Sequence, residues 1–230
     1  MKLTPITENV TQLTRFGLVN AFLVREPEGF TLIDTMVRGS APKLIEAAAR
    51  IDGDTAITRI LITHAHDDHT GSVEALEKAL PEAEVLAPER DAKLMRGNKT
   101  GEPGEPDGKL LGKYPPLDLT IDRELTEGDR AGSLEVVDAP GHSPGQIALL
   151  DTRTGVLLAA DTYSGVGGVA TTAGPYLRFP LPGFVTWHRP TALESAKKLR
   201  ELKPAWLAFG HGKPVKDPVP AMDEAVERSS

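Results

Sequence analysis

The sequence predicts a layered α/β sandwich. Short apolar runs that are rich in β-branched residues recur along the chain and are bounded by turn residues, as is typical of buried strands. Candidate helices lie between several of these runs. Because strands come first and then alternate with helices in two roughly similar halves, the order favours a layered sandwich over a purely doubly wound sheet.

These signals place the elements in chain order. Strands are predicted over residues 20–24, 30–34, 57–63, 134–140, 146–151, 155–161 and 205–210. Helices are predicted over residues 41–51, 72–80, 88–96, 191–202 and 220–228. Ser40 and Pro42 are expected to open the first helix, and Thr191 with Glu194 fits a capping box at the start of the fourth.

Two segments interrupt this pattern. Residues 96–116 are rich in glycine, proline and charge, which predicts a long surface loop that serves either as a plain connector or as a lid. The Gly/Pro-rich residues 163–188 carry a group of aromatic side chains, namely Tyr163, Tyr176, Phe179, Phe184 and Trp187. This group is interpreted as a small core under a loop, a substrate wall or a dimer contact.

Composition and charge narrow the classes of function. A chain of 230 residues is long enough for one large domain or two small ones. Acidic residues outnumber basic ones by 33 to 26, which argues against a nucleic-acid partner because phosphate binding needs a basic surface. The absence of cysteine excludes disulfides, thiolate metal sites and cysteine nucleophiles. No stretch has the length of a signal-peptide core or a membrane span, so a cytoplasmic protein without a membrane partner is expected.

A cluster of histidine and aspartate residues follows the predicted strand at 57–63. His64 and His66 alternate by two on an extended stretch, so both rings can point the same way. Asp68 and His69 follow at the turn into the next helix. Imidazoles and carboxylates at this density are costly to bury without a cation between them. Neutral imidazole with carboxylate is the ligand mixture that suits zinc, manganese or iron.

Three further residues of the same types follow predicted strands elsewhere. His142 and His211 each end a strand-like run within a Gly-His pair, and Asp161 ends the run "GVLLAAD". A glycine before a histidine allows a tight turn that brings the imidazole close to a metal. Strand ends that deliver His, Asp and His to one edge of a sandwich predict a metal site at that edge.

The segment "GHSPG" at residues 141–145 also fits the G-x-S-x-G pattern of a serine-hydrolase nucleophile elbow. In such an elbow the residue after the serine donates its backbone N–H to the oxyanion hole. Here that residue is Pro144, which has no N–H, and a predicted strand follows where an elbow needs a helix. Ser143 is therefore interpreted as a turn residue beside His142 and not as a nucleophile.

Four motifs together resemble those of a known family. The segments "THAHDDH", "APGHSPGQIALL", "LLAADTY" and "AFGHG" occur in the order of the successive motifs of the metallo-β-lactamase-fold hydrolases. The resemblance extends from "VNAFLV" to "GHGKP" and is to the compact members, which are glyoxalase II-like and lactonase-like. It implies a four-layer αββα sandwich that forms a single domain over residues 1–230.

By the same resemblance, two divalent cations are expected, with zinc as the first choice and manganese or iron as alternatives. The implied ligands form a first group, a second group and a bridge: His64, His66 and His142; Asp68, His69 and His211; and Asp161. The implied reaction is attack by a metal-bridging hydroxide on the carbonyl of an ester, thioester or lactone. Asp68 is expected to orient the hydroxide and accept its proton, and Tyr163 to donate a hydrogen bond to the substrate oxygen.

Some branches of the family fit less well. The absence of cysteine excludes the β-lactamases with a cysteine ligand, and Ser164 stands where the acyl-homoserine lactonases typically place a tyrosine. An alternative of another class is a persulfide dioxygenase-like oxidoreductase, which uses one iron held by two histidines and an aspartate. The complete second ligand group favours the hydrolase. The expected partner is a small-molecule substrate whose acyl group has apolar surface, and a homo-oligomer is left open.

Overall fold

The computed structural model describes all 230 residues and contains two large β-sheets. The strands of the first sheet, β1 to β7, are Lys2–Pro5, Val10–Arg15, Val19–Glu26, Gly29–Ile33, Ile57–Leu61, Glu84–Pro88 and Arg123–Leu125. The second sheet contains β8 to β11, which are Arg130–Ala131, Leu134–Asp138, Ile147–Asp151 and Val156–Leu158, together with β14 (Trp206–Ala208) and β15 (Val215–Lys216). A separate hairpin pairs β12 (Tyr163–Ser164) with β13 (Ala170–Thr171).

The helices account for the parallel pairs in these sheets. In chain order, α1 to α7 are Ala41–Ile51, Asp67–Thr70, Val73–Ala79, Glu89–Met95, Leu181–Phe184, Arg189–Glu201 and Val219–Ser229. The first sheet runs in sequential order, antiparallel from β1 to β4 and parallel from β4 to β7. The second sheet has the order β15-β14-β11-β10-β9-β8, and its one parallel pair is β11 with β14. Each parallel pair needs a crossover, and helices supply most of these connections.

Three hydrophobic clusters show that these elements form four layers. The central cluster lies between the sheets and includes Phe22 and Ile33 from the first sheet and Leu149 from the second. The first sheet packs its other face on α1, α3 and α4. The second sheet packs its other face on α6 and α7, where Leu157 meets Leu199. The predicted αββα sandwich is confirmed.

The predicted strands and helices are all present, but several strands end earlier than expected. The runs predicted to end at residues 63, 140, 161 and 210 leave the sheets two or three residues sooner. Sequence reading also missed the short strands β1, β6, β7, β8, β12, β13 and β15 and the more polar β2. Most of these lie at sheet edges or pair over only a few residues, so they carry no continuous apolar run.

One of the two predicted helix starts is correct. Ser40 is the N-terminal cap residue of α1 with a proline in the first turn, although its hydroxyl donates to the Val37 carbonyl instead of capping the helix. The capping box predicted at Thr191 is wrong. Helix α6 begins at Arg189, and its cap residue is His188, whose side chain accepts from the Thr191 backbone N–H at 3.3 Å.

The two segments that interrupt the pattern, residues 96–116 and 163–188, differ in structure. Residues 96–116 contain no helix or strand, as predicted, and the backbone carbonyl of Leu111 in this loop contacts a ring nitrogen of His66. The aromatic group of residues 163–188 does not form one small core. Tyr163 and Trp187 are buried, whereas Phe184 is 56% exposed.

None of the helices has both the length and the apolar character that crossing a membrane requires.

Candidate metal centre

The seven residues predicted as ligands lie together. Their nitrogen and oxygen atoms form three groups, within each of which all ligand atoms lie within 4.8 Å of one another: His64, His66 and His142; His64, His69 and Asp161; and Asp68, His69 and His211. Six of the seven side chains are buried, and Asp68 is half-buried. The structure therefore brings together residues that are separated by up to 147 positions in the chain.

Strands of both sheets deliver these side chains. His64 comes three residues after the end of β5, and Asp161 and His211 come three residues after β11 and β14. His142 follows β9 by four residues. The backbone leaves each sheet before the ligand, with Ala160 in a left-handed conformation at φ 46°, so that side chains from two facing sheets can converge. This departure is why the predicted strands were too long.

In the first group, two ring nitrogens face each other. Nδ1 of His66 lies 3.0 Å from Nε2 of His142. The other nitrogen of His66 lies 3.0 Å from the Leu111 carbonyl, and that of His142 lies 3.2 Å from the Thr186 hydroxyl. These outer partners place the ring protons away from the centre. Two lone pairs therefore point at one position, at a spacing close to the roughly 3.3 Å expected for two nitrogens on one tetrahedral zinc.

In the second predicted ligand group, which is Asp68, His69 and His211, carboxylates surround the two imidazoles. Nε2 of His211 lies 3.2 Å from Oδ2 of both Asp68 and Asp161. Nε2 of His69 lies 3.5 Å from Oδ1 of Asp161. Oδ2 of Asp161 also lies 3.4 Å from Nε2 of His142 in the first group. Asp161 thus contacts members of both groups.

Burial controls protonation in the first group. It lowers the pKa of His64 and His66, and it lowers the pKa of His142 to about 3. All three rings are therefore neutral at neutral pH, which is the form that binds a metal ion.

Carboxylates control protonation in the second group. Burial opposes the charged form of His211, but Asp161 and Asp68 outweigh it and raise the pKa of that ring to about 10. The pKa of His69 is raised in the same way, since burial is outweighed by Asp34, Asp161 and Asp68. The pKa of Asp161 lies well below its usual range despite burial. This half of the centre stabilises positive charge.

The donor atoms fit divalent cations. Nε2 of His64, Nε2 of His69 and Oδ1 of Asp161 are buried and have no hydrogen-bond partner within the protein. Buried polar atoms rarely stay unpaired, because each loses its hydration without compensation. The opposite nitrogen of His69 lies 2.7 Å from Asp34, so the unpaired nitrogen faces the centre. Imidazole and carboxylate donors of this kind suit zinc, iron or manganese.

Asp34 supports this centre, and sequence reading missed it. Its carboxylate contacts Nδ1 of His69 and accepts from both the backbone N–H and the hydroxyl of Thr63, the residue before His64. It is buried and has a left-handed backbone at φ 59°. An outer carboxylate of this kind orients a ligand imidazole. The available signal was an aspartate directly after an apolar run, as at Asp161.

Asp91 and Ser143 join two ligand-bearing turns. Asp91 is buried in α4 and accepts from the backbone N–H groups of Ala65 and Gly145 at 2.8 and 2.7 Å. The Ser143 hydroxyl donates to Asp91 at 2.7 Å. A strand, β10, follows the turn as predicted. Because Ser143 is bonded to a carboxylate and lies in a turn, the structure supports its interpretation as a turn residue. Nothing in the sequence singled out Asp91.

A pocket of about 440 Å³ opens onto the centre. Its polar wall includes His66, Asp68, His142, Asp161 and His211. The rest of its lining is mostly apolar, and the one lysine or arginine in it is Lys113, whose Nζ lies 3.8 Å from a carboxylate oxygen of Asp67.

The expected role of Tyr163 is corrected by its position. The side chain is fully buried, and its hydroxyl donates to the Ala196 carbonyl in α6 at 2.7 Å. Tyr163 does not line the pocket. Two residues after Asp161 the chain has already turned toward the helical layer, so this hydroxyl packs in the core and does not reach a substrate.

Comparison with known proteins agrees with this geometry. The family model of the metallo-beta-lactamase superfamily matches residues 14–211. The uncharacterized protein YobT of Bacillus subtilis (strain 168) is 37% identical over 226 residues, covering 96% of each chain. The probable metallo-hydrolase YflN of the same organism is 29% identical, covering 86% of this chain and 82% of that protein. The hydroxyacylglutathione hydrolase of Shewanella baltica (strain OS223) is 38% identical over 90 residues, which are 39% of this chain and 28% of that protein.

Solved structures agree as well. The di-iron-bound form of TTHA1623 has a TM-score of 0.64 and 28% identity, covering 91% of this chain and 95% of that one. The superfamily binds divalent metals, and the His/Asp groups described above are candidate sites for them. The motif order, the sandwich, the clustered ligands and the match over most of the chain agree: this protein belongs to the metallo-beta-lactamase superfamily.

Proposed function

We propose that this protein is a hydrolase that binds two divalent cations and cleaves a small ester, thioester or lactone. The observation that carries the proposal is the pair of ligand groups joined through Asp161. A mononuclear oxygenase needs only one such group, so the second group supports a dinuclear hydrolase over the dioxygenase alternative.

The proposed ligands follow the groups in the structure. One cation is assigned to His64, His66 and His142, the other to Asp68, His69 and His211, and Asp161 is assigned to both. Zinc suits this donor set, and the di-iron form of TTHA1623 makes iron the main alternative. When bound, two such cations supply a water of lowered pKa and polarise a carbonyl oxygen.

The chain's own residues perform the remaining steps. Asp68 lines the pocket, and its pKa is lowered by His69 and His211 although burial opposes this, so the carboxylate is ionised at neutral pH. It is placed to orient the attacking water and to accept its proton. Asp34 holds His69 in position, and Asp91 holds the turns that carry His66 and His142.

The pocket supports a small acyl substrate. A volume of about 440 Å³ suits a small molecule. Lys113 is its only lysine or arginine and lies beside Asp67, so there is no basic wall of the kind that a nucleic-acid backbone requires. The similarity to hydroxyacylglutathione hydrolases supports a thioester in particular, although the matched part spans about a quarter of such a protein.

The test is proton release in weakly buffered solution by protein loaded separately with zinc, iron and manganese. The panel contains thioesters, lactones, aryl esters, β-lactams and phosphodiesters, with Asp161→Ala as the blank. We expect acid release on one class among the thioesters, lactones and aryl esters, lost in Asp161→Ala, while Ser143→Ala stays within a few-fold of the parent. Release on phosphodiesters alone, or oxygen uptake with a persulfide in the absence of any hydrolysis, contradicts the proposal.

A further inference from the structure

We propose that Phe179, Leu181, Phe184 and Val185 form an acyl wall that makes the centre selective for substrates with a straight apolar chain of several carbons over acetyl substrates. This inference rests on the proposed function and names the substrate class for the same site. The four residues lie on and beside the short helix α5, and all of them line the pocket that holds Asp68, Asp161 and His211.

The first observation is the exposure of these side chains. Leu181 is 60% exposed and Phe184 is 56% exposed, and they are two of only five large apolar side chains that the chain leaves open to solvent. They stand in the same pocket wall, three positions apart on one helical turn. Adjacent exposed apolar side chains beside a polar centre mark a surface that is covered when a ligand binds.

The second observation is that this wall is fixed relative to the candidate ligands. The backbone N–H of Trp187 donates to the His142 carbonyl at 3.0 Å, and the next N–H, that of His188, donates to the Gly141 carbonyl at 2.9 Å. Thr186 lies 3.2 Å from Nδ1 of His142, and its hydroxyl oxygen lies 2.9 Å from the carbonyl of Pro182 in α5. The residues that follow Val185 are therefore anchored at the turn that carries His142, and Thr186 ties α5 to the same ligand.

The third observation is the distribution of polarity around the pocket. The ring of Phe179 lies 5.7 Å from the ring of His211, so the wall begins directly beside the centre. Leu18 and Val19 extend the apolar lining. The charged pair of Lys113 and Asp67 also lines the pocket, at the 96–116 loop. An uncharged chain attached to a reacting carbonyl can bury its surface on the acyl wall without desolvating a charge.

The experiment compares straight-chain acyl thioesters of one thiol, from acetyl to hexanoyl, with the metal-loaded protein. We expect kcat/KM for hexanoyl to exceed that for acetyl by at least about tenfold, because each buried methylene favours binding. The double variant Leu181→Ser/Phe184→Ser is expected to bring this ratio to within about threefold of unity. Because both side chains are more than half exposed, their replacement should leave the protein folded, and thermal unfolding of the variant checks this. The matched control is Leu177→Ser, which replaces a leucine that is 96% exposed and does not line the pocket, and which should leave the ratio unchanged.

Binding of the matching carboxylates, hexanoate and acetate, gives a readout that does not need turnover. Calorimetry should show tighter binding of hexanoate to the parent and loss of that preference in the double variant. Hydrolysis without a chain-length preference, or a preference that survives the double variant, overturns the acyl wall. If no thioester, ester or lactone is hydrolysed, the proposed function fails on its own. The carboxylate preference still decides this inference: its presence supports the wall and its absence overturns it.

Discussion

Asp34 fixes two candidate ligands, His64 and His69, relative to each other. One carboxylate contacts His69, the backbone N–H of Thr63 and the Thr63 hydroxyl, and it does so from a left-handed backbone that aspartate seldom adopts. The strained conformation is sustained because three hydrogen bonds depend on it. The residue therefore sets the direction of the His69 ring and the position of His64 together.

Replacing Asp34 tests this role. Asp34→Asn keeps the size of the side chain but places an amide N–H where either His69 or Thr63 needs an acceptor. Loss of such an outer partner typically weakens metal binding about 10–100-fold. We expect a loss in this range by competition with a chromophoric chelator. Asp54→Asn, at an exposed site, is the control, and equal metal affinity in the two variants contradicts the role of Asp34.

Gly210 leaves the space that two ligands need. A β-carbon at this position would overlap Oδ1 of Asp161 and lie 2.6 Å from Cε1 of His69. The glycine before His211 is thus required by close packing on neighbouring ligands, which is a sharper reason than the tight turn expected from the sequence.

The variant Gly210→Ala should displace Asp161 or His69. We expect a loss of about 1–3 kcal/mol in the free energy of unfolding, as for other overpacked sites, together with reduced metal content. Urea denaturation and elemental analysis measure the two effects. Gly174→Ala, where a β-carbon meets nothing within 4 Å, is the control. A Gly210→Ala protein with parental metal content shows that the ligands can move aside.

At the scale of elements, Tyr163 links the small hairpin to the outer helical layer. Its hydroxyl donates to the Ala196 carbonyl, and its ring belongs to the cluster between the second sheet and α6 and α7. Burial raises the pKa of this phenol above its usual range. The residue is thus a neutral structural donor in the core.

Tyr163→Phe separates this structural role from a catalytic one. Removing the hydroxyl should lower the free energy of unfolding by about 1 kcal/mol, the usual net value of one hydrogen bond. Turnover on the substrate identified by proton release should stay within about twofold, since the hydroxyl does not reach the pocket. Chemical denaturation and steady-state kinetics test the two expectations. A large fall in kcat with unchanged stability would instead support the role expected from the sequence, in which Tyr163 donates a hydrogen bond to the substrate.

At the scale of the whole molecule, the centre joins the two sheets. Its side chains follow β5 in the first sheet and β9, β11 and β14 in the second. The two proposed cations would favour the folded chain, because the unfolded chain cannot gather the same ligands.

Metal removal should therefore destabilise the protein. With free metal at about a thousand times the dissociation constant, binding contributes about 4 kcal/mol, which corresponds to a thermal midpoint about 10 °C higher. Scanning calorimetry of metal-loaded protein with and without a chelator measures this shift. Asp161→Ala should show a much smaller one. Identical midpoints for the loaded and chelated parent contradict a cation that bridges the sheets.

The layered fold and the set of candidate ligands follow from local signals in the amino-acid sequence. Buried strands show continuous apolar runs, and the ligands are His and Asp residues placed just beyond those runs, so both signals are local. The helices at 41–51 and 88–96 were readable for the same reason. The strands that precede the ligands end two or three residues before their predicted ends, because the point at which the backbone leaves a sheet depends on where the ligands must meet.

Tertiary structure alone decided what surrounds the ligands. Asp34 and Asp91 act through contacts with residues 26 to 54 positions away, and no local periodicity records such pairings. Tyr163 lies near Asp161 in the chain, but its side chain points into the core. Phe184 is far from His66 in the chain, but both residues line the same pocket. Residue chemistry and periodicity are properties of a segment. The direction in which a side chain points is settled by the packing of all four layers.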